Sequence, residues 1–248
     1  MPFSVGITLL FVALASVGGG LIQGTTGFGY GIFVMIFFPA LLPLLGAVGC
    51  SSMISLGGLL ILTLRYRKSI RWKYIPAPLA IYYVVSAFCI HLSTKLNTEA
   101  LKGWLGLLLL VLALYFAFFS GKIKIKINAL STLIAATLSG FLSGFFAIGG
   151  PPMVIYYLSA TKTKEEYLGT CQCFFLLTGL YTTVIRILNG IITADLLKFV
   201  AVGYVGMGVG LLVASAIIKR IDTETMKKAI YAVIGCSGLW LFISNFPF

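Results

Sequence analysis

Of 248 residues, 60% are hydrophobic and only 10% are charged, with a mean hydropathy of +1.07. So little charge excludes a water-soluble domain of this length, which could not cover its surface. Eighteen Lys/Arg against six Asp/Glu give a formal charge of +12, but the basic residues sit in short loops between apolar runs. That is a topology signal, with anionic headgroups as neighbours and no nucleic-acid partner.

In chain order the apolar runs are residues 5–23, 28–42, 46–64, 75–92 and 101–119, then 129–146, 151–160, 167–188, 196–218 and 229–244. Most are near the ~20 residues that cross the hydrocarbon core as a helix. The first charged side chain is Arg65, so no basic segment precedes the first run as it would in a cleavable signal peptide. Cys50, Cys89, Cys171, Cys173 and Cys236 lie within or at the edge of these runs without a CxxC pair, and read as structural thiols. The chain reads as an all-α, multi-pass protein of the cell (inner) membrane, with the lipid bilayer as a partner.

The second five runs repeat the first five. A shift of 120 aligns Gly20, Gln23 and Gly24 with Gly140, Ser143 and Gly144, Gly29 with Gly149, and Gly49 with Gly169. A shift of 125 aligns Asn97, Thr98 and Glu99 with Asp222, Thr223 and Glu224. The expected layout is therefore a first membrane repeat (1–120), a basic cytoplasmic linker (121–127) and a second repeat (128–248). Loop charge orients them. With an odd number of crossings per half, fourteen Lys/Arg fall on the cytoplasmic side and three outside (Lys95, Lys102, Lys198), whereas four crossings per half give nine and eight. The positive-inside rule favours the odd number, which makes the repeats inverted in topology and puts both termini outside.

Each half begins with a glycine-broken helical hairpin. The first break runs through Gln23, Gly24, Thr25, Thr26, Gly27 and Gly29, the second through Ser143, Gly144, Gly149, Gly150, Pro151 and Pro152. Proline suits the first turn of a helix, and the two glycines before it suit a tight turn. The run 151–160 is too short to span and reads as half of a re-entrant hairpin. Ten full crossings, and six crossings with two re-entrant hairpins, share one parity and stay open. Irregular backbone at depth occurs where it is buried in protein or lines a wet cavity. Helix N-termini brought there from both sides would favour an anion, and mirrored breaks point to a transporter site.

All six acidic residues fall in loops or at segment edges, which disfavours cation transport. Arg186 is the one charged residue well inside a run, and its guanidinium could grip an oxyanion. It lies a turn from its helix end, so snorkelling to the outer interface is the competing reading. Arg65 occupies the related place in the first half. Gln172 faces either the pathway or a neighbouring helix, and His91 reads as a satisfied interface residue. No Walker-type loop, catalytic constellation or metal cluster is evident, so no cofactor is expected and an enzyme is disfavoured.

The two hairpin motifs, over residues 21–31 and 140–152, resemble those of the sulfite exporter TauE/SafE family, and the likeness extends along the whole chain. The resemblance implies export or uptake of sulfite, a sulfonate or a related sulfur anion. The expected function is thus secondary transport of a small sulfur-containing anion by alternating access, in the export direction. A passive anion channel, or an uptake permease for another small oxyanion or carboxylate, is the alternative. A homo-oligomer stays open.

Overall fold

The computed structural model describes residues 4–119 and 125–217, with 239, 242 and 243. Most of the tenth run, most of the basic linker and the basic stretch after residue 217 lie outside the described residues. Among the described residues there are nine α-helices and no strand. They are α1 (Val5–Thr26), α2 (Tyr30–Leu41), α3 (Leu44–Arg65), α4 (Pro76–Ser93), α5 (Thr98–Phe119), α6 (Ala129–Phe146), α7 (Gly150–Ala160), α8 (Lys164–Leu188) and α9 (Leu197–Ile217). Among the described residues seven stretches are long and apolar enough to cross a membrane. The exceptions are α2 and α7, with 12 and 11 residues, about 18 and 16 Å of helix.

Helix starts differ from the hydropathy reading where capping outweighs apolarity. α8 begins at Lys164, three residues before its apolar run, because the Thr163 side chain accepts the Glu166 amide. Charged residues are thereby carried into a first turn whose dipole suits Glu165 and Glu166. α6 begins after Asn128, whose side chain and that of Ser131 satisfy each other's backbone amides in a capping box.

Small residues set the closest packing. α1 and α9 run in the same direction: a Cβ on Gly20 would lie 2.6 Å from the Met207 carbonyl oxygen, and one on Gly24 2.6 Å from the Ala214 Cβ. α4 and α6 form a similar parallel pair, with Gly140 against Tyr82 and Gly144 against Ser86 and Cys89. Spacing small residues by four on one face lets helix backbones meet where no water-driven hydrophobic force is at work. Between these pairs α3 packs against α8. Arg71, before α4, pairs with Glu166 at the start of α8, while His91 and Asn189, at the opposite ends of those helices, share a 3.0 Å hydrogen bond. α4 and α8 therefore run the same way through the molecule.

The outer surface carries a broad set of exposed apolar side chains, among them Leu14, Ile61, Val84, Val111, Leu138 and Val205. The interior holds buried Ser16, Gln23, Ser139, Thr178, Gln172 and Arg186. An apolar exterior around a partly polar core is the arrangement a bilayer selects.

Candidate functional site

α1 continues through Gly24, Thr25 and Thr26, so the first break is confined to residues 27–29. Gly27 (φ 82°) and Gly29 (φ 99°) make the reversal in the left-handed region, where a Cβ is disfavoured. The second break covers residues 147–149, and there the left-handed residue is Ala147 (φ 56°). Gly149 is right-handed and Gly150 opens α7, so the glycine pair does not make the turn, contrary to the expectation. Gly149 serves close approach instead. A Cβ on Gly149 would lie 2.9 Å from the Ser139 carbonyl oxygen, and the Ser139 hydroxyl donates to the Gly149 carbonyl. Pro151 and Pro152 stand in the first turn of α7.

The two breaks meet. A Cβ on Gly31 would come within 2.5 Å of the Ala147 carbonyl oxygen, and one on Gly150 within 3.4 Å of the Phe28 ring. Beside this junction lies a cavity of about 90 Å³, enough for several waters or one small polyatomic anion. Its walls include Gln23, Gly29, Ser143, Gly149, Gly150 and Arg186 from the predicted set. Shape and polarity at the walls also come from Tyr30, Ser52, Ser55, Tyr82, Thr178 and Thr182. Among the described residues no Asp or Glu lines it, and Arg186 is its one formal charge.

Arg186 is 0% exposed. It does not snorkel: its side chain turns inward, and Nη2 donates to the carbonyl oxygens of Ser143 at 2.6 Å and Gly144 at 3.4 Å. Those carbonyls lie in the last turn of α6, where the dipole favours a cation, and the Ser143 oxygen accepts the Ala147 amide as well. Its Nε and Nη1 are buried without a protein partner, although a buried charged donor normally finds one. Arg65 is exposed and lies 5.7 Å from the Tyr66 ring centroid.

Other predicted residues stand outside the cavity lining. Thr25 donates its hydroxyl to the carbonyls of Leu21 and Ile22, and Thr26 to those of Ile22 and Phe28. Gly24 packs on α9 and Gly144 on α4. Gln172 is fully buried and donates to the Gly27 carbonyl, holding α8 to the first break, while its Oε1 has no partner. His91 joins Asn189 at the molecular end, as an interface residue should. The hydropathy reading passed over the cavity faces of α3 and α8. Thr178, Thr182 and Arg186 recur every four residues, and Ser52, Ser55 and Leu59 at spacings of three and four, so each set marks one side of a helix.

A bundle of apolar helices with exposed greasy flanks, buried polar groups and a small charged cavity defines a multi-pass membrane protein. Residues 12–241 match the family described as sulfite exporter TauE/SafE, and the chain belongs to that family of membrane transporters. No curated protein and no solved structure matches the chain.

Proposed function

We propose that this protein is a secondary transporter that carries a small sulfur-containing anion, sulfite or an organosulfonate, outward across the cell (inner) membrane by alternating access. The observation that carries the reading is Arg186: a fully buried guanidinium, with Nε and Nη1 unpartnered, on a cavity where both helix breaks meet. Buried charge is retained in a membrane protein chiefly at functional positions. Sulfur chemistry of the substrate is supported by the family's description as sulfite exporters.

Two inverted repeats, 1–120 and 128–248, joined by the basic linker 121–127, are part of the same proposal. Parallel packing of α1 with α9 and of α4 with α6 supports them, because exchanging the halves exchanges these two pairs. Each hairpin is re-entrant, its short second helix returning to the side it came from. The Thr132 hydroxyl donates to the Tyr156 hydroxyl at 3.1 Å and Ser16 meets Tyr30 at 3.0 Å, which supports that antiparallel course within each hairpin. Both termini lie outside. Gln23, Gly29, Ser143, Gly149, Gly150 and Arg186 bind the anion; Gly24, Thr25, Thr26, Gly27, Gly144, Pro151, Pro152 and Gln172 shape and hold the two tips.

The test is flux of sulfite into liposomes containing the purified protein, with an organosulfonate and acetate as comparison anions and imposed pH gradients. Saturable flux of the sulfur anions that responds to the gradient supports a coupled carrier. Unsaturable flux of all three anions would make it a channel, and no flux from folded protein would remove the transport of these anions.

A further inference from the structure

We infer that the cavity selects singly charged anions, so that sulfite passes as hydrogensulfite and takes its proton from the bulk solution rather than from a side chain. This deepens the transport reading above and rests on it. The charge at the site decides the matter. Among the described residues Arg186 is the sole formal charge on the lining, and a guanidinium stays protonated across the physiological range. Each hairpin tip sets the C-terminus of one helix beside the N-terminus of the next: α1 with α2, and α6 with α7. Their opposed half-charges offset one another. Pro151 and Pro152 also remove two amide donors from the first turn of α7.

What remains for the ligand is one positive charge and a neutral polar lining, which includes Tyr82 and Ser143; the lining hydroxyls of Ser52, Ser55, Thr178 and Thr182 already donate to carbonyls of their own helices. A monoanion is neutralised there. A dianion would bring a second, uncompensated charge into a buried site, which is strongly disfavoured. Sulfite exchanges between its two charge states near neutral pH, so the two species can be compared in one experiment.

The groups that could titrate around Arg186 do not account for such a preference. On the lining these are Tyr82 from α4 and Tyr30 from α2; Cys50, Cys89, Cys171, Cys173 and His91 stand off it. His91, the one histidine of the sequence, is exposed, bonded to Asn189 and outside the lining.

The test is exchange of labelled sulfite across proteoliposomes, with hydrogensulfite held constant while the pH rises from about 6 to about 8 and the dianion accumulates. Protein-free liposomes correct for leakage as sulfur dioxide. The expected result is a constant initial rate, with added sulfate, a dianion throughout, at least about tenfold weaker as a competitor than unlabelled hydrogensulfite. His91→Gln should give the same profile. A rate that climbs with the dianion, sulfate competing as an equal, or a profile displaced by His91→Gln would each overturn the inference while leaving sulfite transport intact. No protein-dependent exchange at any pH would instead remove the transport reading on which it rests.

Discussion

Arg186 carries two duties that a substitution separates from one another. Nη2 closes the end of α6 through Ser143 and Gly144, while Nε and Nη1 face no protein partner. Replacing it by glutamine removes the charge and most donors, and hydrogen bonds to charged groups contribute about 1.5–3 kcal/mol. Arg186→Gln is therefore expected to raise the half-saturating anion concentration by roughly tenfold to a hundredfold, measured from initial flux. Unchanged half-saturation would confine Arg186 to capping α6. Gln172 serves structure more plainly. Gln172→Leu leaves the Gly27 carbonyl without its donor and is expected to lower stability by about 1–3 kcal/mol, read as an earlier thermal transition in detergent.

At the scale of elements, the contact between the two tips is where small size is needed. Gly31 meets a backbone oxygen of the opposite break at 2.5 Å from a built Cβ, and a backbone atom cannot rotate away. Gly31→Ala should force the tips apart, destabilising by about 1–3 kcal/mol and reducing flux, as thermal unfolding and transport assays would report. Gly150 faces the Phe28 ring at 3.4 Å, an ordinary contact. Gly150→Ala should leave folding and flux nearly unchanged, whereas Gly150→Leu fills the cavity and should abolish flux in a protein that still folds. Normal flux in Gly150→Leu would exclude the second tip from the path.

For the molecule as a whole, the pair Arg71–Glu166 marks one end and His91–Asn189 the other. Lys68 belongs to the first end and Asn97 to the second. Single cysteines introduced at these positions should react with a membrane-impermeant thiol reagent from opposite sides, Lys68→Cys from the cytoplasm and Asn97→Cys from outside. Of the five native cysteines, Cys50, Cys89, Cys171 and Cys173 are buried and should contribute little background, and Cys236 is replaced by serine in the labelling background. Labelling of both from one side would break the inverted topology and the alternating-access scheme built on it.

Apolar length, glycine spacing and loop charge are local properties of the chain, so the sequence by itself determined a membrane-embedded helical protein. It also marked Gln23, Ser143, Gly149 and Arg186, because polar or flexible residues inside apolar runs stand out one at a time. Which way a side chain turns depends on partners far away in the chain. Arg186 sits near a helix end, where sequence allows it to reach out to the interface, yet it turns inward because the end of α6 offers Ser143 and Gly144 carbonyls 42–43 residues away. Likewise Ser52, Ser55, Thr178 and Thr182 look like unremarkable helix residues until α3 and α8 face each other. Ala147 taking the left-handed turn in place of a glycine, and the meeting of the two breaks at Gly31 and Phe28, were decided only by tertiary packing.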